Sequence, residues 1–311
     1  MTKTTTLRAA TAGALLCATL ATGFTTAPQR IAPDEALSAH FALLTDVSTA
    51  LAPVGDTATT ALRGKKSKDS KDSKDGDKEK DKEEKAKLHG KKAAADAGLD
   101  KFLAHKHGKV PGSAHKARVD SLKGNVARLV DAADEAGAEQ AAADLTVDVR
   151  EFLYDTSAEL GFDAAAQPAA EQSAATTTST TTTTTTTTTT PDHEQNFTLV
   201  TAVSEALAPV GEFAGSVLAG GTDQATLDAQ RAVCESELGE LDNLLGGFAG
   251  GSPYRRAAAS ELLVTVRAVR AHLAALASAP GTPGQAAVDL DADTGRLLFQ
   301  TSVRLGHRPT R

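Results

Sequence analysis

The sequence predicts an all-α protein built as two tandem four-helix up-and-down bundles joined by a Thr-rich linker. Residues 40–64, HFALLTDVSTALAPVGDTATTALRG, align without a gap to residues 196–220, NFTLVTAVSEALAPVGEFAGSVLAG. Alanine and leucine, which favour helices, are abundant, whereas Ile31 is the only isoleucine. Apolar residues also recur at spacings of three and four, which is the pattern of amphipathic helices packed around a core.

Residues 1–27 have the pattern of a secretory signal peptide. Two basic residues precede a short apolar run, Ala9–Ala21, and small residues follow up to an expected cleavage near Gly23 or Ala27. The run is shorter than the about 20 apolar residues of a membrane-spanning helix. We therefore expect an exported product that is not transmembrane after cleavage, with an uncleaved N-terminal anchor as the alternative.

The first predicted bundle spans residues 34–163. The apolar stripe of its first helix continues across Pro53, where proline removes a hydrogen bond and crowds the preceding turn. We expect a kink or a break there, eased by Gly55. Three further stripes predict the remaining helices: Ala95–Leu103, Val119–Ala133 and Ala142–Leu160.

A charged segment, residues 65–92, interrupts this first bundle. It holds twelve lysines and eight acidic residues, with almost nothing apolar to bury. Such a composition predicts a disordered, solvated insertion, with local helix near Lys78–Lys87. A functional interpretation is an arm for anionic polymers, such as wall polymers or phospholipid headgroups.

The second predicted bundle spans residues 192–307 and follows a linker at residues 164–191. The centre of the linker, Thr176–Thr190, is fourteen threonines and one serine, which predicts an extended hydroxyl-rich spacer. The second bundle repeats the first, including its proline at Pro209. A further repeat closes each half: TSAELG at residues 156–161 and TSVRLG at residues 301–306.

Composition disfavours several functions. The net charge of −7 becomes −9 once Lys3 and Arg8 leave with the signal peptide, and nucleic-acid binding needs clustered basic charge instead. Tryptophan is absent, which disfavours aromatic platforms for bases or sugar rings.

After cleavage the one remaining cysteine is Cys234. Its position on a leucine stripe predicts burial, with an intermolecular disulfide as the alternative.

Two groups of residues are candidates for metal binding. His105, His107 and His115 form a weak candidate site, because imidazoles bind Zn²⁺ or Cu²⁺ but no cysteine or flanking carboxylate completes a tetrahedral set. Asp289, Asp291 and Asp293 resemble the start of a calcium loop, but the glycine and the glutamate that such a loop requires further along are missing. We interpret them as acids near a helix start.

These patterns predict an exported, non-catalytic protein without a cofactor. It would act as an extracellular or cell-envelope interaction module, with two similar bundles raising avidity through bivalent binding. The expected partners are a cell-wall polymer, the envelope surface or another protein, and nucleic acid is disfavoured. The alternative function is a secreted small-ligand or metal-binding protein that uses a bundle interior or the His105–His107 turn.

Overall fold

The fold is entirely helical over the residues that the computed structural model describes, namely 33–69, 78–105, 115–162, 192–248, 253–278 and 284–307. This confirms the predicted all-α class. Eight helices lie within these residues: α1 Pro33–Asp69, α2 Lys78–Ala104, α3 His115–Asp131, α4 Glu135–Glu159, α5 His193–Ala219, α6 Gln224–Phe248, α7 Pro253–Ser278 and α8 Gly284–Arg304. The predicted signal peptide (1–27) and Thr-rich linker (164–191) lie outside the described residues.

The first four and the last four helices contact one another both within each half and between the halves. In the first half α1 contacts α2, α3 and α4, while α2 contacts α3 and α3 contacts α4. In the second half α5 contacts α6, α7 and α8, and the neighbours α6–α7 and α7–α8 also touch. The two halves meet where α1 packs on α5 and α4 packs on α8. We call this contact between the halves the seam.

The predicted apolar stripes form the core. Large side chains that are almost completely buried occur in both halves. They include Phe41, Leu44, Leu51, Leu99, Leu122, Leu129, Leu145 and Phe152 in the first half and Phe197 and Phe213 in the second. Burial of each such side chain contributes about 1.5–3 kcal/mol. The core is continuous through the seam, because α1 and α5 bury residues toward their own bundle and toward each other.

The two prolines do not break their helices. Both α1 and α5 continue as α-helix through Pro53 and Pro209. Pro53 lacks an N–H, so the carbonyl of Thr49 loses its usual partner one turn earlier. Gly98 of α2 packs against the Thr49 carbonyl. A Cβ added at Gly98 would lie 3.4 Å from that carbonyl oxygen. Tertiary packing along the whole helix therefore outweighs the local cost of proline, which is about 3 kcal/mol.

The charged segment is helical at both ends. Helix α1 runs to Asp69 and α2 begins at Lys78, so only residues 70–77 of the segment lie outside the described residues. The local helix expected near Lys78–Lys87 is therefore present, and helix also covers residues 65–69 and 88–92, whereas the disorder expected for residues 70–77 stays a prediction. Helix α2 extends upstream because Ala95, Leu99 and Phe102 anchor it in the core and alternating lysines and acids then support further turns.

The repeated TSxxLG sequence ends the fourth helix of each half. Gly161 and Gly306 both have positive φ, 77° and 99°, the conformation that favours glycine after a helix end. The next residue then donates back into the helix: Phe162 N–H to the Ser157 carbonyl and His307 N–H to the Ser302 carbonyl, each at 3.0 Å. The sequence repeat thus places an aromatic ring at the same position in both halves.

Within the part of the chain that the structure describes, two helical stretches are long and apolar enough to cross a membrane by length and composition alone, Glu35–Lys65 and His193–Ala219. They belong to α1 and α5, the two helices that pack on each other in the seam. Much of each apolar window is buried inside the protein, 50% and 61% respectively. Their apolar character is accounted for by this central position.

Candidate functional site: the seam and its histidine–carboxylate pairs

The crossing of α1 and α5 is built from equivalent residues. Gly55 of α1 lies against Phe197 and Thr201 of α5, and Gly211 of α5 lies against Phe41 and Thr45 of α1. In the alignment of the repeats, these two sets correspond one to one. A surface that contacts its own equivalent is isologous, as in a two-fold dimer. The order of the contacts also makes the two helices antiparallel.

The two glycines allow the helix backbones to approach closely. A Cβ added at Gly55 would lie 2.9 Å from the Phe197 carbonyl oxygen, and one at Gly211 would lie 2.8 Å from the Phe41 carbonyl oxygen. The threonine hydroxyls facing the glycines donate to these same carbonyls at 3.0 Å. The glycines therefore have a packing role in the seam, and their expected easing of a proline bend stays a prediction.

The contact between α4 and α8 is also isologous. Tyr154 stacks on His307 with ring centroids 4.0 Å apart, and the equivalent residue Phe299 packs on Phe162 at 5.1 Å. Tyr154 and Phe299, which are equivalent to each other, meet between these pairs at 6.2 Å. Aromatic pairs of this kind contribute about 0.5–1.5 kcal/mol each beyond area burial.

Polar pairs fix the two ends of the seam. His40 Nδ1 donates to Asp291 Oδ2 at 2.8 Å, and Arg63 Nε donates to Glu194 Oε1 at 2.7 Å. At the second end His193 Nδ1 also lies 3.1 Å from Thr146 Oγ1. Thr146 and Asp291 are equivalent positions of the two halves and each contacts a histidine of the other half, but His40 and His193 are not equivalent, nor are Arg63 and Glu194.

The hydrogen bond to Asp291 raises the pKa of His40 above its usual value, and the negative charges of Asp291 and Glu159 add to this effect. Partial burial of the imidazole acts in the opposite direction. Asp291 is itself buried, and its second carboxylate oxygen has no hydrogen-bond partner. His40 is thus the hydrogen-bond partner that the described residues provide for the Asp291 carboxylate.

The three candidate metal ligands are not brought together as a site. His105 Nδ1 pairs with Asp46 Oδ2 at 2.6 Å on the surface, whereas His115 is buried and its Nε2 pairs with Glu159 Oε2 at 2.8 Å. His107 lies outside the described residues. Among the residues that are described, no group of three or more histidine, cysteine, aspartate and glutamate side chains could hold a metal ion.

The calcium-like aspartates lie inside a helix and bind histidines. Helix α8 begins at Gly284, so Asp291 and Asp293 occupy its second and third turns. Asp293 accepts a hydrogen bond from His272 at 2.8 Å, while Asp291 pairs with His40. The interpretation as a helix is confirmed, although these acids hold helices together and do not sit at the helix start.

A buried aspartate also occurs at the equivalent place in the first half. Asp148 accepts hydrogen bonds from Ser121 at 2.5 Å and from Asn125 at 2.6 Å, which tie α4 to α3. Its equivalent, Asp293, ties α8 to α7 through His272. The pairing of an acid on the fourth helix of a half with a donor on the third is thus a shared feature of the two halves.

The predicted burial of Cys234 is confirmed. The side chain is fully buried in α6, and burial raises the pKa of the thiol to about 12. The cysteine is free in the structure. A thiol in this state behaves as a small apolar side chain.

A polar cleft of about 370 Å³ lies at one end of the first half. Its lining holds both basic and acidic residues, with Lys65, Lys85 and His89 together with Asp131 and Asp134. Lys65 donates to the carbonyl of Ala132 within the lining. Because both signs of charge line the cleft, its lining does not favour a ligand of one charge.

Comparison with known proteins gives no match: no protein-family model, no curated protein and no solved structure is similar to this chain.

Proposed function

We propose that this protein is an exported, non-catalytic interaction protein of the extracellular space or cell envelope. In this proposal its halves arose by tandem duplication and are connected by the Thr-rich linker. The observation that supports it is the seam, in which the equivalent apolar faces of the two halves cover each other. The repeated apolar surface is thereby buried between the two halves, so partners would bind to the outer helices.

The outer helices differ in charge between the halves. Helix α2 carries eight lysines and six acidic residues, with Lys82, Lys85 and Lys87 exposed. Helix α6 of the second half carries five acidic residues and one arginine. Helix α2 is therefore the surface we assign to an anionic cell-wall polymer or envelope surface. Two outer surfaces on one body would also raise avidity, because binding through one increases the effective concentration of the other.

Cosedimentation with purified cell envelopes tests this function. The variant carries Lys82→Gln, Lys85→Gln and Lys87→Gln, which removes three exposed positive charges without removing helix formers. Each lysine near an anionic surface contributes about 1 kcal/mol to binding, so the variant should bind envelopes roughly 100-fold more weakly than the unmodified chain. Binding of the unmodified chain should also weaken as the salt concentration rises.

The matched control carries Arg256→Gln and Arg270→Gln, two exposed positions of the basic outer helix α7 in the second half. It should bind envelopes as the unmodified chain does. If the lysine variant binds as tightly as the control, the assignment of α2 is wrong. If the unmodified chain does not bind envelopes at all, the proposed function is wrong.

A further inference from the structure

We propose that the attachment of α8 to the rest of the fold is pH-dependent, tighter at acidic than at alkaline pH. The two buried aspartates of α8 pair with histidines, whereas the buried aspartate of the equivalent helix α4 pairs with side chains that do not titrate. Histidine gains its positive charge between about pH 5 and 8. Release of α8 would uncover the aromatic contacts that it makes with α4.

The buried aspartates of α8 face histidines on two different helices. Asp291 accepts a hydrogen bond from His40 of α1 across the seam, and Asp293 accepts one from His272 of α7, each at 2.8 Å. The other ring nitrogen of His272 lies 4.0 Å from Asp289, one turn earlier in α8. Both nitrogens of an imidazole can donate only when the ring is protonated. Protonation therefore strengthens the contacts of α8 with α1 and with α7 together.

The first half provides an internal comparison. Asp148, the buried aspartate of α4, accepts hydrogen bonds from Ser121 and Asn125 of α3. Thr146 stands in α4 where α8 has its other buried aspartate. Serine, asparagine and threonine do not change charge between pH 5 and 9. The contacts of α4 at these positions therefore keep their strength over the range in which those of α8 change.

The charges around His40 determine the direction of the effect. The hydrogen bond to Asp291 and the negative charges of Asp291 and Glu159 raise the pKa of His40, while burial acts against them. Glu159 of α4 also pairs with His115 of α3, but its side chain is 45% exposed, so solvent screens this pair. A raised folded pKa gives stabilisation that is complete below the unfolded value, about 6.5, and is lost as the pH rises through the folded pKa.

A third histidine lies just beyond the end of α8. His307 Nδ1 is 3.5 Å from Glu151 Oε1 of α4, and its ring stacks on Tyr154. Arg150 pairs with the same glutamate at 3.0 Å and also donates to the Gly306 carbonyl at 3.4 Å. Because the arginine shares the negative charge of Glu151, protonation of His307 should contribute less than the two short bonds to buried aspartates.

Charged groups on the other neighbouring helices make contacts elsewhere. On the α6 side of α7, Arg267 pairs with Asp242 at 3.7 Å. The α5 acids Glu205 and Glu212 act on groups of α6. The pH dependence of the α8 attachment is therefore assigned to the two short histidine–aspartate bonds.

Hydrogen exchange measured by mass spectrometry tests this on the unmodified chain. Peptides from α8 are compared with peptides from α4 in the same sample, after correction for the intrinsic pH dependence of amide exchange. A charge-assisted hydrogen bond is about twice as strong as a neutral one, which corresponds to roughly a fivefold change in the opening equilibrium per bond. For two bonds, the protection of α8 relative to α4 should fall by about 25-fold from pH 5.5 to pH 8.5.

The matched variant carries His40→Asn and His272→Asn, which introduces residues that the other half already uses. Asn196 aligns with His40, and Asn125 donates to the aspartate equivalent to the partner of His272. In this variant the ratio of α8 to α4 protection should be the same at both pH values. The control, Arg63→Gln, removes a seam contact whose cation stays charged throughout, so its ratio should change with pH as in the unmodified chain.

A fall in the relative protection of α8 that the double variant abolishes supports the proposal. A ratio that is equal at the two pH values in the unmodified chain would overturn it, and this measurement needs no variant to fold. A double variant that responds to pH like the unmodified chain, or an Arg63→Gln control that has lost the response, would also overturn it. Envelope binding plays no part in these measurements, so their outcome is separate from that of the proposed function.

Discussion

Alanine at Gly55 should destabilise the protein even though alanine is the better helix former. Its Cβ would lie 2.9 Å from the Phe197 carbonyl oxygen and 3.1 Å from the Thr201 backbone nitrogen. These are backbone atoms, which cannot turn away, so α1 and α5 must separate by several tenths of an ångström. Overpacking of this kind costs about 1–3 kcal/mol.

The net effect includes the intrinsic preference of alanine. Replacement of a helical glycine gains about 1 kcal/mol, so Gly55→Ala should lower the free energy of unfolding by about 1–2 kcal/mol when the overpacking cost is near its upper value. Gly211→Ala should give a similar loss, because its added Cβ would lie 2.8 Å from the Phe41 carbonyl oxygen.

Gly215→Ala is the matched control in α5. An added Cβ there meets nothing within 4 Å, so this variant should be more stable than the unmodified chain by about 0.5–1 kcal/mol. Urea unfolding followed by circular dichroism at a helical wavelength gives the comparison. The midpoints of Gly55→Ala and Gly215→Ala should differ by roughly 1 M. A Gly55→Ala midpoint equal to or above that of Gly215→Ala would refute the close-packing argument.

Three further predictions concern titratable groups. The pKa of His40 is raised in the folded protein, so the stabilisation from protonated His40 is complete below the unfolded pKa near 6.5 and is lost as the pH rises through the folded pKa. In urea unfolding, His40→Gln should therefore lower the free energy of unfolding more at pH 5.5 than at pH 8.5. Equal losses at the two pH values would contradict this. Cys234, with its pKa raised to about 12 by burial, should react with a thiol reagent only after unfolding, and rapid labelling of the native protein would count against its burial. Burial and then the charge of Glu237 raise the pKa of Glu205, so Glu205→Gln should increase the melting temperature at pH 7 but not below pH 4, and an unchanged value at pH 7 would argue against this repulsion.

The sequence repeat already shows which aromatic residues of the seam are equivalent to each other. Tyr154 aligns with Phe299, and Phe162 aligns with His307, so the aromatic positions of the α4–α8 contact are visible in the sequence. Their pairing is not, because alignment shows which residues are equivalent and not which surfaces meet. The same applies to Gly55, whose proximity to Pro53 suggested a local role in bending.

The histidine pairs illustrate a different limit. His40 and Asp291 are 251 positions apart, and no local pattern connects them. His105 and His107 are close in sequence, which suggested a shared metal site, but the partner of His105 is Asp46 on another helix.

The sequence by itself determined the helical class, the buried stripes and the ends of the fourth helices. These features depend on local spacing and on single residues such as Gly161 and Gly306, so they can be recognised without knowing what packs against them. Only the tertiary structure decided that the two halves share one core. That arrangement depends on how closely two helix backbones can approach at Gly55 and Gly211, a distance that exists only once both helices are in place.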